Sequence, residues 1–267
     1  MTILKNPEII RDELVEAIRT FCGRAGVKRV VLGISGGKDS SVAAALCARA
    51  MGPENVLGIM LPDGEQKDIS DSQLLCRSLG IRSFTVNIGA MHASLLEAVS
   101  EGFDGQKEQA FFETEAQKES NINVGPRLRM TTLRYIAQTA GALLCGTGNL
   151  SESYVGYCTK DGDTSCDFNP LGKLTSKEVV ALGLSIPELP RALVEKAPAD
   201  GLSGHTDEER LGVSYQQIHD LIRFGSSGDV EADEIIRRKH RSSAHKRALP
   251  TVLASETFLS EGHEFHE

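Results

Sequence analysis

The chain has 267 residues, of which 40% are hydrophobic and 25% are charged, and its formal net charge is −8. This content is enough for a sizeable core, and the acidic balance argues against a general nucleic-acid-binding protein, which is usually basic. Residues 1–30 carry charges throughout, and no stretch approaches the roughly 20 apolar residues that a membrane span needs. We therefore expect a cytoplasmic protein that has no signal peptide and that partners neither a membrane nor a nucleic acid.

The cysteines are scattered along the sequence, and none belongs to a C-x-x-C pair. They are Cys22, Cys47, Cys76, Cys145, Cys158 and Cys166. This distribution predicts reduced thiols, not a disulfide framework or a zinc site.

In chain order, the first half of the sequence alternates between helical and strand patterns. Apolar residues at helical spacing between Pro7 and Ala25 predict an amphipathic helix. The predicted strands are Arg29–Ile34, Asn55–Leu61 and Ser83–Ile88, and the helices between them are Asp39–Met51 and Asp68–Leu79. This alternation predicts an α/β fold with a doubly wound, mainly parallel sheet and helices on both faces.

The second half begins with a polar segment, Gly102–Ser120, that is typical of a surface helix or a mobile loop. The elements predicted after it are a helix through Leu128 and Ala137, a short strand Ala142–Cys145, a loop Val155–Pro170, helices Ser176–Leu184 and Asp229–His245, and a loop from Lys196 to Thr206. No boundary is evident, so we expect one domain, 1–267, with an N-terminal helix (1–28), a catalytic core (29–250) and a C-terminal tail (251–267).

The segment Gly33–Ser41 (GISGGKDSS) lies between a predicted strand and a predicted helix. In an α/β sheet this is the carboxyl edge, where ligands bind. Glycines let backbone N–H groups approach an anion closely, and the helix N-terminus adds a positive dipole. The segment matches neither a Walker A loop nor G-x-G-x-x-G, yet its physical features predict a cradle for a phosphate or pyrophosphate.

Asp39 does not suit a site built only for anions, because a carboxylate repels a triphosphate unless a cation lies between them. Mg²⁺ is the natural bridge, since it takes few protein carboxylates together with phosphate oxygens. Asp39 is therefore a candidate metal ligand. The alternative is a carboxylate that merely favours a helix N-terminus.

The S-G-G-x-D-S pattern resembles the signature of ATP pyrophosphatases, which cleave ATP between its α and β phosphates. Further segments follow it in order: 123–131 (NVGPRLRMT), 146–152 (GTGNLSE), 156–163 (GYCTKDGD), 167–171 (DFNPL), 196–198 (KAP), 206–208 (TDE), 211–215 (LGVSY) and 245–247 (HKR). Together they resemble the NAD synthetase family over nearly the whole chain, from Val31 to Pro250.

The resemblance implies an ammonia-dependent enzyme that uses ATP to adenylate the carboxylate of deamido-NAD and then releases NAD, AMP and pyrophosphate. It implies ATP binding by Gly33, Ile34, Ser35, Gly36, Gly37, Lys38, Asp39, Ser40, Thr147 and Ser176. It implies deamido-NAD binding by Arg127, Lys160, Asp167, His245 and Lys246. It implies that Asp39 and Glu152 hold Mg²⁺. We assign no covalent nucleophile.

Each of these side chains also has a purely structural interpretation. Arg127 and Lys160 are also typical of solvated surface cations, and Glu152 is typical of a helix-start carboxylate. Asp167 is typical of an Asx turn, and Gly146 and Gly148 of a plain turn. His245 and Lys246 are typical of a solvated helix face.

Two positions depart from the family pattern. Ser176 stands where members commonly have a lysine that helps to bind phosphate, and Lys177 points about 100° away on a helix. Ala199 stands where a serine or threonine is frequent. Both departures concern the ATP site.

The resemblance also implies free ammonia as the nitrogen source, because only about 30 residues precede the phosphate loop, too few for a glutaminase domain. It implies a homodimer, for which the helix Arg127–Gly141 is a plausible interface element. We expect Gly102–Ser120 and the loop around Gly201–Gly204 to be candidates for ordering on substrate binding.

Two other functions compete with this one. The first is another ATP pyrophosphatase, such as a tRNA-modifying enzyme, against which the missing C-x-x-C pairs and the net charge of −8 argue. The second is a nucleotide-binding protein with a decayed site, for which Ser176 and Ala199 are the support.

Overall fold

A parallel four-stranded sheet lies at the centre of the computed structural model, which describes residues 3–66, 69–102, 114–196 and 206–250. The helices and strands, in chain order, are α1 (Pro7–Arg24), β1 (Arg29–Gly33), α2 (Lys38–Met51), β2 (Val56–Met60), α3 (Ile69–Leu79), β3 (Arg82–Thr85), α4 (Gly89–Gly102), α5 (Thr114–Ala140), β4 (Ala142–Leu144), α6 (Leu150–Val155), α7 (Ser176–Leu184), α8 (Arg191–Val194), α9 (Asp207–Leu211), α10 (Tyr215–Phe224) and α11 (Val230–Ser242). Short 3-10 turns occupy Pro53–Asn55 and Ala244–Lys246.

The strand order in the sheet is β3-β2-β1-β4. Every neighbouring pair is parallel, and Val31 of β1 aligns with Leu57 of β2 on one side and with Leu144 of β4 on the other. The chain therefore builds the sheet outward from β1 through β3 and then crosses to the opposite side of β1. The resulting switch point lies between the carboxyl ends of β1 and β4, which is where open α/β sheets bind their ligands.

Alternate residues of β1 face two different cores, as the strand period of two requires. Val30 and Leu32 pack into a core with buried residues of α1, α2 and α7, including Leu46 and Leu182. Val31 faces the other core, which includes Ala137 of α5. Helices thus cover both faces of the sheet, and the predicted doubly wound α/β fold is confirmed.

A third cluster joins α6, α10 and α11. Its buried members include Val155, Tyr215, Ile218 and Ile236. Because α6 follows β4 directly and α7 packs against both α6 and α10, this cluster is attached at the same end of the sheet as the switch point. None of the helices in the described ranges is both long and apolar enough to cross a membrane.

The structure adds helices that the sequence patterns did not predict, namely α4, α6, α8, α9 and α10. The third strand is shorter than predicted and ends at Thr85, although Val86 and Ile88 still donate to the carbonyls of Met60 and Pro62. Of the segment Gly102–Ser120, residues from Thr114 onward are helical, while 103–113 lie outside the described residues. So do 197–205, with Ala199 and Gly201–Gly204, and the tail from residue 251. The single-domain organisation stays a prediction.

Candidate active site

The turn between β1 and α2 has the form expected of an anion cradle. Gly36 has a φ of 79°, and a Cβ there would meet Ser72 N at 3.0 Å, so only glycine fits. Ser35 Oγ accepts from Gly37 N at 3.2 Å and lies 3.0 Å from Ser40 Oγ. Gly37 has no side chain to cap α2, so the N–H groups of the first helical turn can meet a ligand.

The first two residues of the predicted loop contribute through their backbone. Ile34 is a buried core residue whose N–H donates to Ile59 O at 2.8 Å. Gly33 ends β1, and a Cβ there would lie 3.4 Å from Leu133 Cδ1. Their predicted contact with ATP is therefore limited to main-chain atoms.

Asp39 stands at the first turn of α2 with a partner on each carboxylate oxygen. Lys38 Nζ lies 2.7 Å from Oδ2, and Asn149 Nδ2 donates to Oδ1 at 3.1 Å. Asn149 belongs to the turn after β4, so this bond joins the two sides of the switch point. Sequence reasoning assigned no role to Asn149; its place beside Thr147 in the motif 146–152 was the available signal.

Glu152 completes the acidic side of the site. Asn149 and Glu152 form a capping box at the start of α6, with Asn149 N donating to Oε2 at 3.0 Å and Glu152 N donating to Asn149 Oδ1 at 3.1 Å. Burial, followed by the nearby Asp39 carboxylate, raises the pKa of Glu152 to about 8. The capping box makes Glu152 a helix-start carboxylate, as its structural interpretation expected. The raised pKa reflects burial first and the nearby charge of Asp39 second, which places the two carboxylates in one buried site.

These two carboxylates suit Mg²⁺. They supply hard oxygen ligands, and the described residues hold no group of three or more side chains that could bind a metal by itself. Mg²⁺ commonly binds through one or two carboxylates while phosphate oxygens and water supply the rest. The donor set thus fits a cation that enters with a nucleotide.

Thr147 and Ser176 lie on the α6 and α7 side of the site. Gly146 must be glycine, because a Cβ there would come within 2.6 Å of Cys166 Sγ, and this close packing positions the half-buried Thr147 after it. Ser176 is buried at the start of α7, and its N–H donates to Ser151 Oγ at 3.1 Å. Ser176 therefore contacts the first turn of α6 through Ser151. Lys177 is half-buried and Lys173 exposed.

The residues predicted to bind the nicotinate-containing substrate surround the segment 156–170. Arg127 Nε donates to Lys160 O at 3.3 Å, which brings α5 and this segment together. Lys246 Nζ donates to Gly156 O at 2.8 Å and to Cys158 O at 2.6 Å. His245 is exposed in the adjacent 3-10 turn.

Both carboxylate oxygens of Asp167 have partners within the protein. One carboxylate oxygen pairs with Arg134, and the other accepts from Leu144 N at 2.7 Å. The Asx-turn interpretation is thus replaced by a bridge between the segment 156–170, α5 and β4.

The same segment is also held from the C-terminal side. Gly156 has a φ of 71°, and a Cβ there would lie 2.1 Å from Ser243 Cβ, so the backbones touch closely. Arg247 Nη1 donates to Ser153 O at 2.8 Å and to Ser243 Oγ at 2.8 Å. Lys246 therefore holds the segment 156–170 and Arg247 holds α6, whereas His245 is exposed, as a solvated side chain would be.

Known proteins share the sequence and the fold of most of the chain. A family model described as NAD synthase matches residues 10–258. The chain belongs to the NAD synthase family. A curated relative, the NH(3)-dependent NAD(+) synthetase of Archaeoglobus fulgidus, is 34% identical over 261 residues, covering 95% of this chain and 100% of the relative.

Solved structures of similar proteins share the fold. An NMN synthetase from Francisella tularensis superposes with a TM-score of 0.82 at 32% identity and covers 92% of this chain and 98% of its own. The NAD+ synthetase of Burkholderia pseudomallei gives a TM-score of 0.73 at 27% identity, with 93% of each chain covered. These NAD synthase relatives confirm the family resemblance, and the residue roles stay predictions.

Proposed function

We propose that the chain makes NAD from deamido-NAD, ATP and free ammonia through an acyl-adenylate, with AMP and pyrophosphate as the other products. Ammonia-dependent NAD synthesis is the activity of its curated relatives. The observation that carries the ATP-dependent chemistry is the uncapped N-terminus of α2, whose Asp39 lies near Glu152 at the switch point. A cytoplasmic location stays a prediction.

The chain's own groups account for much of this chemistry. A carboxylate is a poor acyl donor, so the nicotinate oxygen first attacks the α-phosphorus and pyrophosphate departs. The N–H groups of α2 and the ammonium of Lys38 face the charge that develops on the leaving group. Mg²⁺ held by Asp39 and Glu152 would add Lewis-acid stabilisation. Ammonia then displaces AMP, and positioning of the two reactants supplies further acceleration.

The direct test incubates the protein with ATP, Mg²⁺, deamido-NAD and ammonium chloride and quantifies NAD and AMP. We expect equal amounts of both products, and we expect Asp39→Ala to abolish them. Asp12→Ala, at an exposed carboxylate of α1, is the matched control and should leave both unchanged. AMP without NAD would contradict the proposed amidation.

A second candidate is the same amidation on the mononucleotide, giving NMN. Two observations favour it: the Francisella tularensis structure is that of an NMN synthetase, and Lys246 and Asp167 are engaged within the protein. A dinucleotide brings one more phosphate and one more nucleoside, which need additional partners. The nicotinate and its ribose phosphate are common to both substrates, so the adenylation chemistry does not distinguish them.

Competition between the two substrates decides this question. Deamido-NAD and deamido-NMN are mixed in equal amounts, and the initial rates of NAD and NMN formation give the ratio of kcat/KM values. A ratio that favours NAD supports the first candidate, and a ratio that favours NMN supports the second.

We also propose that the protein forms a homodimer through α4 and the neighbouring surface. The helix is apolar, yet none of its residues is buried within the chain. Its exposed apolar side chains, with those of β3 and α5 beside it, are Phe84, Met91, Leu95, Leu96, Val99, Ile122 and Tyr135. Several exposed apolar side chains on one helix are typical of a protein–protein interface. The predicted interface helix, Arg127–Gly141, corresponds to the second half of α5, which ends at Ala140 and packs against α4.

A further inference from the structure

Lys38 is a buried cation that sits directly on a predicted metal ligand. Its side chain is 5% exposed, and its Nζ lies 2.7 Å from Asp39 Oδ2. Asn149 Nδ2 occupies the other oxygen of this carboxylate at 3.1 Å. Both oxygens of Asp39 therefore have partners within the chain.

Residues from α9 and α10 hold Lys38 in this position. Its ammonium lies 5.5 Å from the centroid of the Tyr215 ring, a cation–π distance. The Tyr215 hydroxyl donates to Asp207 Oδ2 at 3.0 Å, and the Tyr157 hydroxyl donates to Oδ1 at 3.3 Å. Tyr215 and Asp207 are themselves buried, which fixes the ring under the ammonium.

The surroundings of Lys38 are acidic. Besides Asp39, the carboxylates of Glu152 and Asp207 are near enough to interact with its ammonium. A lysine enclosed in this way cannot simply turn into solvent, so its charge stays within the acidic cluster.

We propose that Lys38 is a built-in competitor of the divalent cation, occupying Asp39 in the free protein and yielding it when a triphosphate arrives. Two cations on one carboxylate repel each other strongly at a buried site, where screening by water is weak. A triphosphate offers the ammonium new anionic partners, which frees Asp39. The metal therefore enters together with the nucleotide and not before it.

The proposal rests on the proposed use of ATP and Mg²⁺ but is independent of which nicotinate substrate is amidated. Its test uses Mn²⁺ as the probe, with the full chain and no nucleotide, and free Mn²⁺ is followed by its EPR signal. We expect weak binding to the wild-type protein. Removing the competing charge in Lys38→Gln should tighten Mn²⁺ binding by about tenfold or more.

Two further variants separate charge from shape. Lys38→Arg keeps the positive charge and should bind Mn²⁺ as weakly as the wild type. Tyr215→Leu removes the ring that holds the ammonium, so Mn²⁺ affinity should fall between the wild type and Lys38→Gln. Circular dichroism establishes that each variant is folded.

Stoichiometric Mn²⁺ binding to the wild-type protein without nucleotide would overturn the proposal, and that measurement needs no variant. Equal or weaker binding to folded Lys38→Gln would also overturn it. The NAD-forming assay of the wild type is a separate experiment, so failure of the amidation and failure of the competition are distinguishable.

Discussion

At the scale of single residues, the carboxyl group of Glu152 sets a pH dependence. Its pKa rises from 4.5 to about 8 because it is buried beside Asp39. The folded state therefore binds this proton more tightly than the unfolded state. The resulting stabilisation is complete below pH about 4.5 and is lost as the pH rises through about 8. We expect Glu152→Gln to raise the Tm of the metal-free protein at pH about 9, and to change it little at pH about 5.

Calorimetry in the presence of a chelator measures this shift. The control is Glu13→Gln, which changes an exposed carboxylate of α1 and should leave Tm unaltered at both pH values. A lower Tm of Glu152→Gln at alkaline pH would show that the carboxylate is compensated by a partner.

Gly36 provides a second test at this scale, with Gly26 as its matched control. Both have a positive φ, 79° and 66°, but a Cβ at Gly26 meets nothing within 4 Å. Gly26→Ala should cost about 1 kcal/mol of unfolding free energy, from backbone strain alone. Gly36→Ala adds contacts at 3.0 Å with Asp71 and Ser72, which should cost about 1 to 3 kcal/mol more. Urea titrations measure both, and equal losses would contradict the tight packing of the loop.

At the scale of elements, an ion pair joins α7 to α10. Arg223 donates to both carboxylate oxygens of Glu178, at 2.7 and 2.6 Å, and also to Lys173 O. Glu178 is 7% exposed and Arg223 is 35% exposed. Because the arginine is partly screened, Arg223→Met should cost about 2 kcal/mol, less than a fully buried pair would.

The comparison variant is Arg191→Met, whose i,i+4 partner Glu195 is half exposed, with side-chain exposures of 76% and 51%. Its cost should stay below about 0.5 kcal/mol. Chemical denaturation of both variants gives the difference. A similar loss in each would mean that the α7–α10 pair contributes no more than a surface pair.

The elements also show what local sequence can and cannot predict. The strand Arg29–Gly33 and the glycine turn after it were predictable, because a run of apolar residues and a pair of glycines are local signals in the sequence. The helix α4 was not predictable from the sequence. It buries no face within the chain, so its apolar residues do not follow the 3.6-residue period that marks an amphipathic helix. The bond from Asn149 to Asp39 spans 110 residues, and the place of Tyr215 over Lys38 likewise follows only from tertiary packing.

At the scale of the whole molecule, the exposed apolar surface of α4 predicts association of two copies. Leu95→Asp places a charge at its middle and should convert a dimer into a folded monomer, because burying an unpaired carboxylate is costly. Sedimentation velocity measures the species, and circular dichroism checks the fold. Val230→Asp, at an apolar residue that is 85% exposed on α11, is the control and should leave the assembly intact. A Leu95→Asp protein that sediments like the wild type would exclude α4 from the interface.

The contacts that residues 243–246 make with Gly156 and Cys158 join segments far apart in the sequence. The chain is synthesised from its N-terminus, so the sheet and the phosphate loop can form early. The carbonyls of Gly156 and Cys158 receive their lysine donor only after Lys246 has emerged. A nascent chain can therefore fold the sheet and the phosphate loop while the segment 156–170 still lacks its contacts with Lys246. Incomplete chains should consequently be poor at consuming ATP, and competence should appear late, when synthesis is nearly finished.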